Sequence, residues 1–132
     1  MPAGPRFERL DDWLDWQQQL HPATIDLGLR RISSVLARAG GNRPRAPVIT
    51  VGGTNGKGSC VALLDAVLRA NGYRVASFTS PHLVEYRERI RIDGAMVSEA
   101  SLIAAFERTA DALGLDSLTF FEFNTLAALL IF

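Results

Sequence analysis

Val48-Ile49-Thr50-Val51 runs directly into Gly52-Gly53-Thr54-Asn55-Gly56-Lys57-Gly58-Ser59, so that a β-branched run is followed by a glycine-rich loop containing a lysine. The run is typical of a strand buried in a parallel sheet. After the loop, apolar residues at spacings of three and four predict an amphipathic helix: Val61, Leu64 and Leu68. Strand, loop and helix in this order indicate a phosphate-binding site, because loop N–H groups and the helix N-terminus together form a positive concavity.

Lys57 is the only lysine among the 14 lysine and arginine residues of the chain. Its place in the loop favours nucleotide binding, since a flexible ammonium adds a mobile point charge beside phosphate oxygens. The common pattern G-x-x-x-x-G-K-[ST] is not met in full, because Val51 stands where its first glycine would be and Gly58 follows the lysine. The hydroxyl comes one place later, at Ser59. The alternative is a glycine-rich turn that only joins a strand to a helix.

The segments after the loop predict an α/β fold. Asn71-Gly72 is a left-handed helix stop, and residues 73–79 form the next strand candidate, so strand, helix and strand predict a parallel pair with a right-handed crossover. Residues 88–94 alternate charge with isoleucine before an Asp-Gly turn, which predicts an exposed hairpin arm with its arginines in solvent.

Helices are predicted on both sides of this region. Apolar spacing predicts two amphipathic helices within residues 8–40, followed by a connector over residues 42–47. Ser98 is a candidate N-cap for a helix that Gly114 closes. Thr119 and Glu122 have the spacing of a capping box before a last, apolar helix.

Composition narrows the classes of partner. The chain has 132 residues, 48% of them hydrophobic, which is enough for the core of one domain. Its formal charge is zero, so neither a nucleic acid nor a membrane surface is expected as partner, and a small molecule is favoured. One cysteine, Cys60, and the lack of a signal-peptide pattern fit a soluble cytoplasmic protein. Two predicted strands are few for such a domain, and we therefore expect a truncated chain.

Five segments in order resemble the folate branch of the Mur ligase superfamily, dihydrofolate synthase and folylpolyglutamate synthase. They are the loop with its Gly-Lys-Gly-Ser, Ile25-Asp26-Leu27-Gly28-Leu29, Phe78-Thr79-Ser80-Pro81-His82-Leu83, Glu88-Arg89-Ile90-Arg91-Ile92 and Leu118-Thr119-Phe120-Phe121-Glu122-Phe123. The resemblance implies a Mur-ligase-like phosphate-loop domain with a parallel sheet, of which residues 1–132 are the N-terminal part. The family's C-terminal glutamate-binding domain would be absent, and the fragment alone inactive.

The activity implied by the resemblance is an ATP-dependent amide ligase. Such an enzyme phosphorylates the carboxylate of dihydropteroate or a folate and joins it to the amine of L-glutamate, with ATP and Mg²⁺ as cofactors. The implied ATP-binding residues are Gly56, Lys57, Gly58 and Ser59, with Lys57 also catalytic. Ser80 is implied as a magnesium ligand, although a turn hydroxyl is the alternative. A monomer is expected for the full-length protein.

The implied pterin-side residues are Asp26, Leu27, Gly28, Thr119, Phe120, Phe121 and Glu122. Aromatic faces can stack on a bicyclic ring, and a carboxylate can accept from its amino groups. For Asp26 the alternative is a helix-capping carboxylate, and for the second group it is a capping box with core phenylalanines. His82 receives no assigned role, and His21, which precedes Pro22, is interpreted as structural.

Two other functions stay open at this point. A small phosphate-loop kinase would need a Gly-Lys-Ser or Gly-Lys-Thr triplet and an acidic metal ligand after a second strand, and the sequence has neither. A non-catalytic nucleotide-binding module could use the apolar C-terminal helix to dock another chain.

Overall fold

The computed structural model describes residues 4–41 and 44–132. Its helices and strands are, in chain order, α1 Leu10–Gln19, α2 Arg30–Arg38, α3 Lys57–Ala70, β1 Ala76–Phe78, a 3-10 helix Tyr86–Arg89, β2 Ile90–Ile92, β3 Ala95–Met96, α4 Glu99–Ala112 and α5 Phe120–Ile131. They fall into two compact units: residues 4–41 with 99–131, and residues 44–98 with Phe132. The start of the predicted connector, residues 42–43, and the first three residues lie outside the described part.

The first unit is a helical assembly with an aromatic core. Trp13, Phe106 and Phe123 are fully buried, and their rings lie 5.9 Å (Trp13–Phe106) and 5.7 Å (Phe106–Phe123) apart. Burial of each such side chain contributes about 1.5–3 kcal/mol relative to exposure. The helices predicted before Gly40 and after Ser98 and Thr119 are confirmed as α1, α2, α4 and α5.

Arg38, the last residue of α2, connects that helix to the end of α4 by hydrogen bonds. Its Nε donates to the carbonyl of Ala112 at 2.7 Å, and its Nη2 donates to the carbonyl of Leu113 at 2.7 Å and to Asp116 at 2.6 Å. The carbonyl of Ala112 ends α4, where the helix has no further N–H groups to offer, and the carbonyl of Leu113 also accepts from the N–H of Asp116 at 3.0 Å. A cation at this end of α4 complements the helix dipole.

The second unit contains α3 and a three-stranded sheet in the order β1-β2-β3. Ala76 pairs with Ile92 and Arg91 with Met96, and both pairings are antiparallel. The predicted parallel pair is therefore not found among the described residues. Val48–Val51 is not a strand either, and Val48 and Ile49 remain 69% and 61% exposed. A parallel strand needs hydrogen-bonded neighbours and cover on both faces, and the described residues give this run neither.

The predicted hairpin is confirmed, with a left-handed turn at Asp93 (φ 50°) and Gly94 (φ 82°). The prediction that it is an exposed arm is wrong, because β1 pairs with it and Ile90 is fully buried. Its arginines are half-buried and hydrogen-bonded instead of solvated: Arg87 to Glu85, Arg89 to His82 and Arg91 to the carbonyl of Gly94.

Among the described residues, no helix has the length and apolar content to cross a membrane.

Candidate functional site

The glycine loop of the second unit leads into α3 through a left-handed residue. Gly56 precedes the helix with φ 77°, and Gly53 has φ 147°, a conformation that residues with a side chain rarely adopt. No side chain caps the N-terminus of α3. The first N–H groups of the helix therefore combine with the positive end of its dipole in a backbone surface suited to an anion.

Lys57 is the first residue of α3, and its side chain folds back over the loop. Its Nζ donates to the carbonyls of Gly53 at 2.6 Å and Thr54 at 3.2 Å, which holds the ammonium beside the glycines. The space next to the loop backbone is open: a Cβ atom added to Gly56 or Gly58 would meet no atom within 4 Å. A charged ligand could thus approach the backbone closely at both positions.

Ser80 follows β1 in the same unit and is exposed. The backbone beside it is fixed, because the N–H of Thr79 donates to the carbonyl of Arg89 at 2.9 Å. Mg²⁺ takes six oxygen ligands in near-octahedral geometry, usually including carboxylates. Within residues 4–41 and 44–132, no group of three or more His, Cys, Asp and Glu side chains could hold a metal. One neutral hydroxyl does not make a magnesium site, and the role of Ser80 stays a prediction.

The segment after Ser80 is held by Glu88, a residue with no predicted role. Its carboxylate accepts from the backbone N–H groups of Glu85 at 2.8 Å, Leu83 at 3.0 Å and Val84 at 2.7 Å. These hydrogen bonds favour the ionised form and lower the pKa of Glu88 to about 2. In the sequence, the spacing of Glu85 and Glu88 resembles that of a capping box, and it could have predicted that Glu88 binds these backbone N–H groups.

His82 has a defined hydrogen-bond partner, which the sequence could not assign. Arg89 Nε donates to His82 Nδ1 at 2.9 Å. Because Nδ1 is the acceptor, the neutral imidazole carries its proton on Nε2. The guanidinium of Arg89 also lies over the ring of the buried Tyr86, 5.5 Å from its centroid.

In the first unit, the two predicted pterin-side segments are brought together by Arg31. Its Nη1 donates to Asp26 Oδ2 at 2.6 Å, and its Nη2 donates to the carbonyl of Asp26 at 3.0 Å and to Glu122 Oε1 at 2.9 Å. The capping interpretation of Asp26 is wrong, since α2 begins at Arg30 with Leu29 as its N-cap. The sequence could have predicted a role for Arg31. A cation in the first turn of a helix is unfavourable beside the positive end of the helix dipole, so an acidic partner is expected for it.

The capping box at the start of α5 is confirmed. Thr119 N donates to Glu122 Oε2 at 2.9 Å, and Glu122 N donates to Thr119 Oγ1 at 3.3 Å. Both residues are buried, whereas Phe121 is 54% exposed and Phe120 half-buried. Leu27 is 90% exposed, and Gly28 has φ 145°. Segments 26–28 and 119–122 thus combine fixed carboxylates with accessible apolar surface.

Comparison with known proteins adds independent evidence. No family model matches the chain. It is 47% identical to the dihydrofolate synthase/folylpolyglutamate synthase of Escherichia coli over 123 residues, which is 93% of this chain and 29% of that protein. The chain therefore spans under a third of the length of this curated relative.

Solved structures agree with this match. The structure of E. coli FolC in complex with DHPP and ADP matches with a TM-score of 0.91 and 45% identity, over 96% of this chain and 31% of that one. A Yersinia pestis folylpolyglutamate synthase/dihydrofolate synthase complexed with AMPPNP and Mn ion matches with a TM-score of 0.88 and 42% identity, over 96% and 31%. The predicted Mur-ligase-like fold class is thereby confirmed. The chain belongs to the dihydrofolate synthase/folylpolyglutamate synthase family and matches its N-terminal part.

Proposed function

We propose that this chain supplies the ATP phosphate loop and the pterin-side residues of an amide ligase that adds L-glutamate to dihydropteroate, to folates or to both. The observation that carries the proposal is the loop at α3. The carbonyls of Gly53 and Thr54 hold the Lys57 ammonium there, and the space at Gly56 and Gly58 is open beside an uncapped helix N-terminus. This is a surface on which a triphosphate can be bound by backbone N–H groups and a mobile cation. The match to relatives whose structures hold ADP or AMPPNP supports the same assignment.

The proposed chemistry has two steps. A carboxylate oxygen of the pterin substrate attacks the γ-phosphorus of ATP, which forms an acyl phosphate and releases ADP. The amine of glutamate, having lost its extra proton, then attacks the acyl carbon, and phosphate leaves as the amide forms. Little covalent chemistry is required of the protein in the first step, so positioning and charge neutralisation carry the rate.

Each assigned residue has a defined part in this scheme. Gly56 and Gly58 leave room for phosphate oxygens at the backbone, and Ser59 offers a hydroxyl in the first turn of α3. Lys57 exchanges its hydrogen bonds to loop carbonyls for β- and γ-phosphate oxygens, which neutralises charge that builds up during transfer. A divalent cation is proposed as a further requirement. No step is assigned to it, because the described residues alone do not form its site.

The pterin ring is assigned to the carboxylates and aromatic residues of the first unit. Asp26 and Glu122 can accept hydrogen bonds from ring amino groups, and Phe120 or Phe121 offers a flat apolar face. Because the chain spans under a third of its relatives' length, we expect its 132 residues alone to show no turnover. Cytoplasmic location and a monomeric state remain part of the proposal.

The test is an assay of ADP release by the protein that the longest open reading frame containing this chain encodes. The assay contains ATP, Mg²⁺ and glutamate and is run with and without a pterin substrate. Dihydropteroate and tetrahydrofolate are assayed in parallel, and the preferred acceptor identifies the synthase. Lys57→Ala should abolish the release, whereas Arg74→Ala, which removes a cation that is 87% exposed in the same unit, should not. Full activity of Lys57→Ala would refute the role of the lysine.

A further inference from the structure

We infer that Arg31 is a positioning residue for pterin binding, which holds the carboxylates of Asp26 and Glu122 in a fixed relation. The inference rests on the proposed function, because it assumes that segments 26–28 and 119–122 bind the pterin. Neither the sequence pattern nor the comparisons assign a role to this arginine. It acts through the two acidic residues and is not placed against the substrate itself.

Two nitrogens of the Arg31 guanidinium donate to three different acceptors. Nη1 donates to Asp26 Oδ2, while Nη2 donates both to the carbonyl of Asp26 and to Glu122 Oε1. The chain separation between Arg31 and Glu122 is 91 residues, so this side chain joins two distant segments. The planar group fixes the angle as well as the distance between its acceptors, which a single ammonium cannot do.

Each carboxylate keeps capacity for a ligand after Arg31 has bound. Glu122 Oε1 accepts from Arg31 and Oε2 accepts from the N–H of Thr119, so each oxygen retains a further lone-pair direction. Asp26 Oδ1 has no hydrogen-bond partner within the described ranges, since Arg31 and His21 both approach Oδ2. The result is a pair of oriented anionic acceptors, as the amino groups of a pterin require.

The segment that carries Asp26 depends strongly on such contacts. Its neighbours Leu27 and Leu29 are 90% and 77% exposed, so apolar burial contributes little to its position. A second contact comes from His21, whose Nε2 lies 3.3 Å from Asp26 Oδ2 and whose Nδ1 lies 2.7 Å from Ser117 Oγ. Arg31 is the link that continues from Asp26 to Glu122. Its loss should therefore free Asp26 more than it disturbs the buried helices.

Arg38 provides a matched control on the same helix. It also makes three hydrogen bonds to another part of the first unit, and its side chain is 34% exposed compared with 24% for Arg31. Its partners are the carbonyls of Ala112 and Leu113 and the carboxylate of Asp116, none of which belongs to the predicted pterin segments. Arg31→Gln and Arg38→Gln thus remove the same charge at similar structural cost.

The experiment is calorimetric titration of dihydropteroate and of AMPPNP into the product of the longest open reading frame containing this chain. For Arg31→Gln we expect the dihydropteroate Kd to rise about tenfold with an unchanged AMPPNP Kd, as loss of one oriented pair of hydrogen bonds predicts. Arg38→Gln should lower the thermal midpoint and leave both Kd values unchanged. Arg31→Lys, which keeps the charge, should still raise the dihydropteroate Kd about threefold, because an ammonium lacks the planar set of donors that a guanidinium has.

Three results would overturn the inference. The first is an unchanged dihydropteroate Kd in Arg31→Gln, and the second is equal weakening by Arg31→Gln and Arg38→Gln, which would indicate general destabilisation. If Arg31→Gln does not fold, an unchanged Kd in Arg31→Lys has the same meaning. Failure of the proposed function looks different: the wild-type protein itself would then not bind dihydropteroate.

Discussion

Substituting Gly58 by alanine should make the protein more stable and at the same time impair nucleotide binding. Gly58 is the second residue of α3, its φ is not positive, and an added Cβ would meet no atom within 4 Å. There is thus neither backbone strain nor a clash to offset the better helix propensity of alanine. A full glycine-to-alanine gain in a helix interior is about 1 kcal/mol, and for a first-turn position we take about half.

A gain of about 0.5 kcal/mol raises the thermal midpoint by roughly 2 °C in a domain of this size. The same Cβ would stand where the proposed site brings a phosphate oxygen to the backbone. Displacing the phosphate should weaken AMPPNP binding at least about tenfold, equivalent to about 1.4 kcal/mol. Thermal unfolding and AMPPNP titration of one preparation measure both effects.

Gly72→Ala is the control, because this glycine also has open space around it but adopts φ 84° at the end of α3. Alanine in that left-handed conformation costs about 1 kcal/mol, so the thermal midpoint should fall while AMPPNP affinity is kept. Unchanged AMPPNP affinity in Gly58→Ala would refute close approach of phosphate to this residue. A lower thermal midpoint in Gly58→Ala would refute the claim that the space is open.

Two further predictions concern carboxylates. Glu88 has a folded-state pKa of about 2, below its ordinary 4.5, so the stability that it contributes is present above pH 4.5 and is lost as the pH falls towards 2. Glu88→Gln removes this titration, and the urea midpoint of unfolding should therefore depend less steeply on pH between 4.5 and 2. An unaltered slope would contradict the lowered pKa. Glu122→Ala should raise the pterin KM more than the ATP KM in the full-length enzyme, and the reverse order would leave Glu122 only its capping role.

Local signals in the sequence predicted most of the helices and the hairpin. The apolar spacing of α1 and α2, the Asn71-Gly72 stop and the Asp93-Gly94 turn each act within a few residues, and the structure has all of them. The sheet was less predictable. Val48–Val51 has strand composition, but strand formation depends on hydrogen-bonded neighbours, which a run of four residues does not itself supply. Pairing of β1 with the hairpin followed from contacts that no local pattern specifies.

For the candidate site, the sequence predicted the groups but not the contacts between them. Glycines and lysine in the loop form a contiguous motif, so the geometry at α3 could be anticipated. Arg31 and Glu122 stand far apart in the chain, and their ion pair depends on how α2 and α5 pack. Arg89 likewise determines the tautomer of His82 through a contact that ordinary spacing rules do not reveal.

The distribution of aromatic residues makes the two units optically distinct. Both tryptophans of the chain, Trp13 and Trp16, belong to the ring cluster of the first unit, whereas both tyrosines, Tyr73 and Tyr86, lie in the second. Excitation beyond the tyrosine absorption band therefore reports emission from the helical unit alone. Its quenching or spectral shift during denaturation follows the Trp13–Phe106–Phe123 core, while the tyrosine signal follows the unit with the glycine loop. Native fluorophores can thus show whether the two units unfold together or in succession, with no label attached.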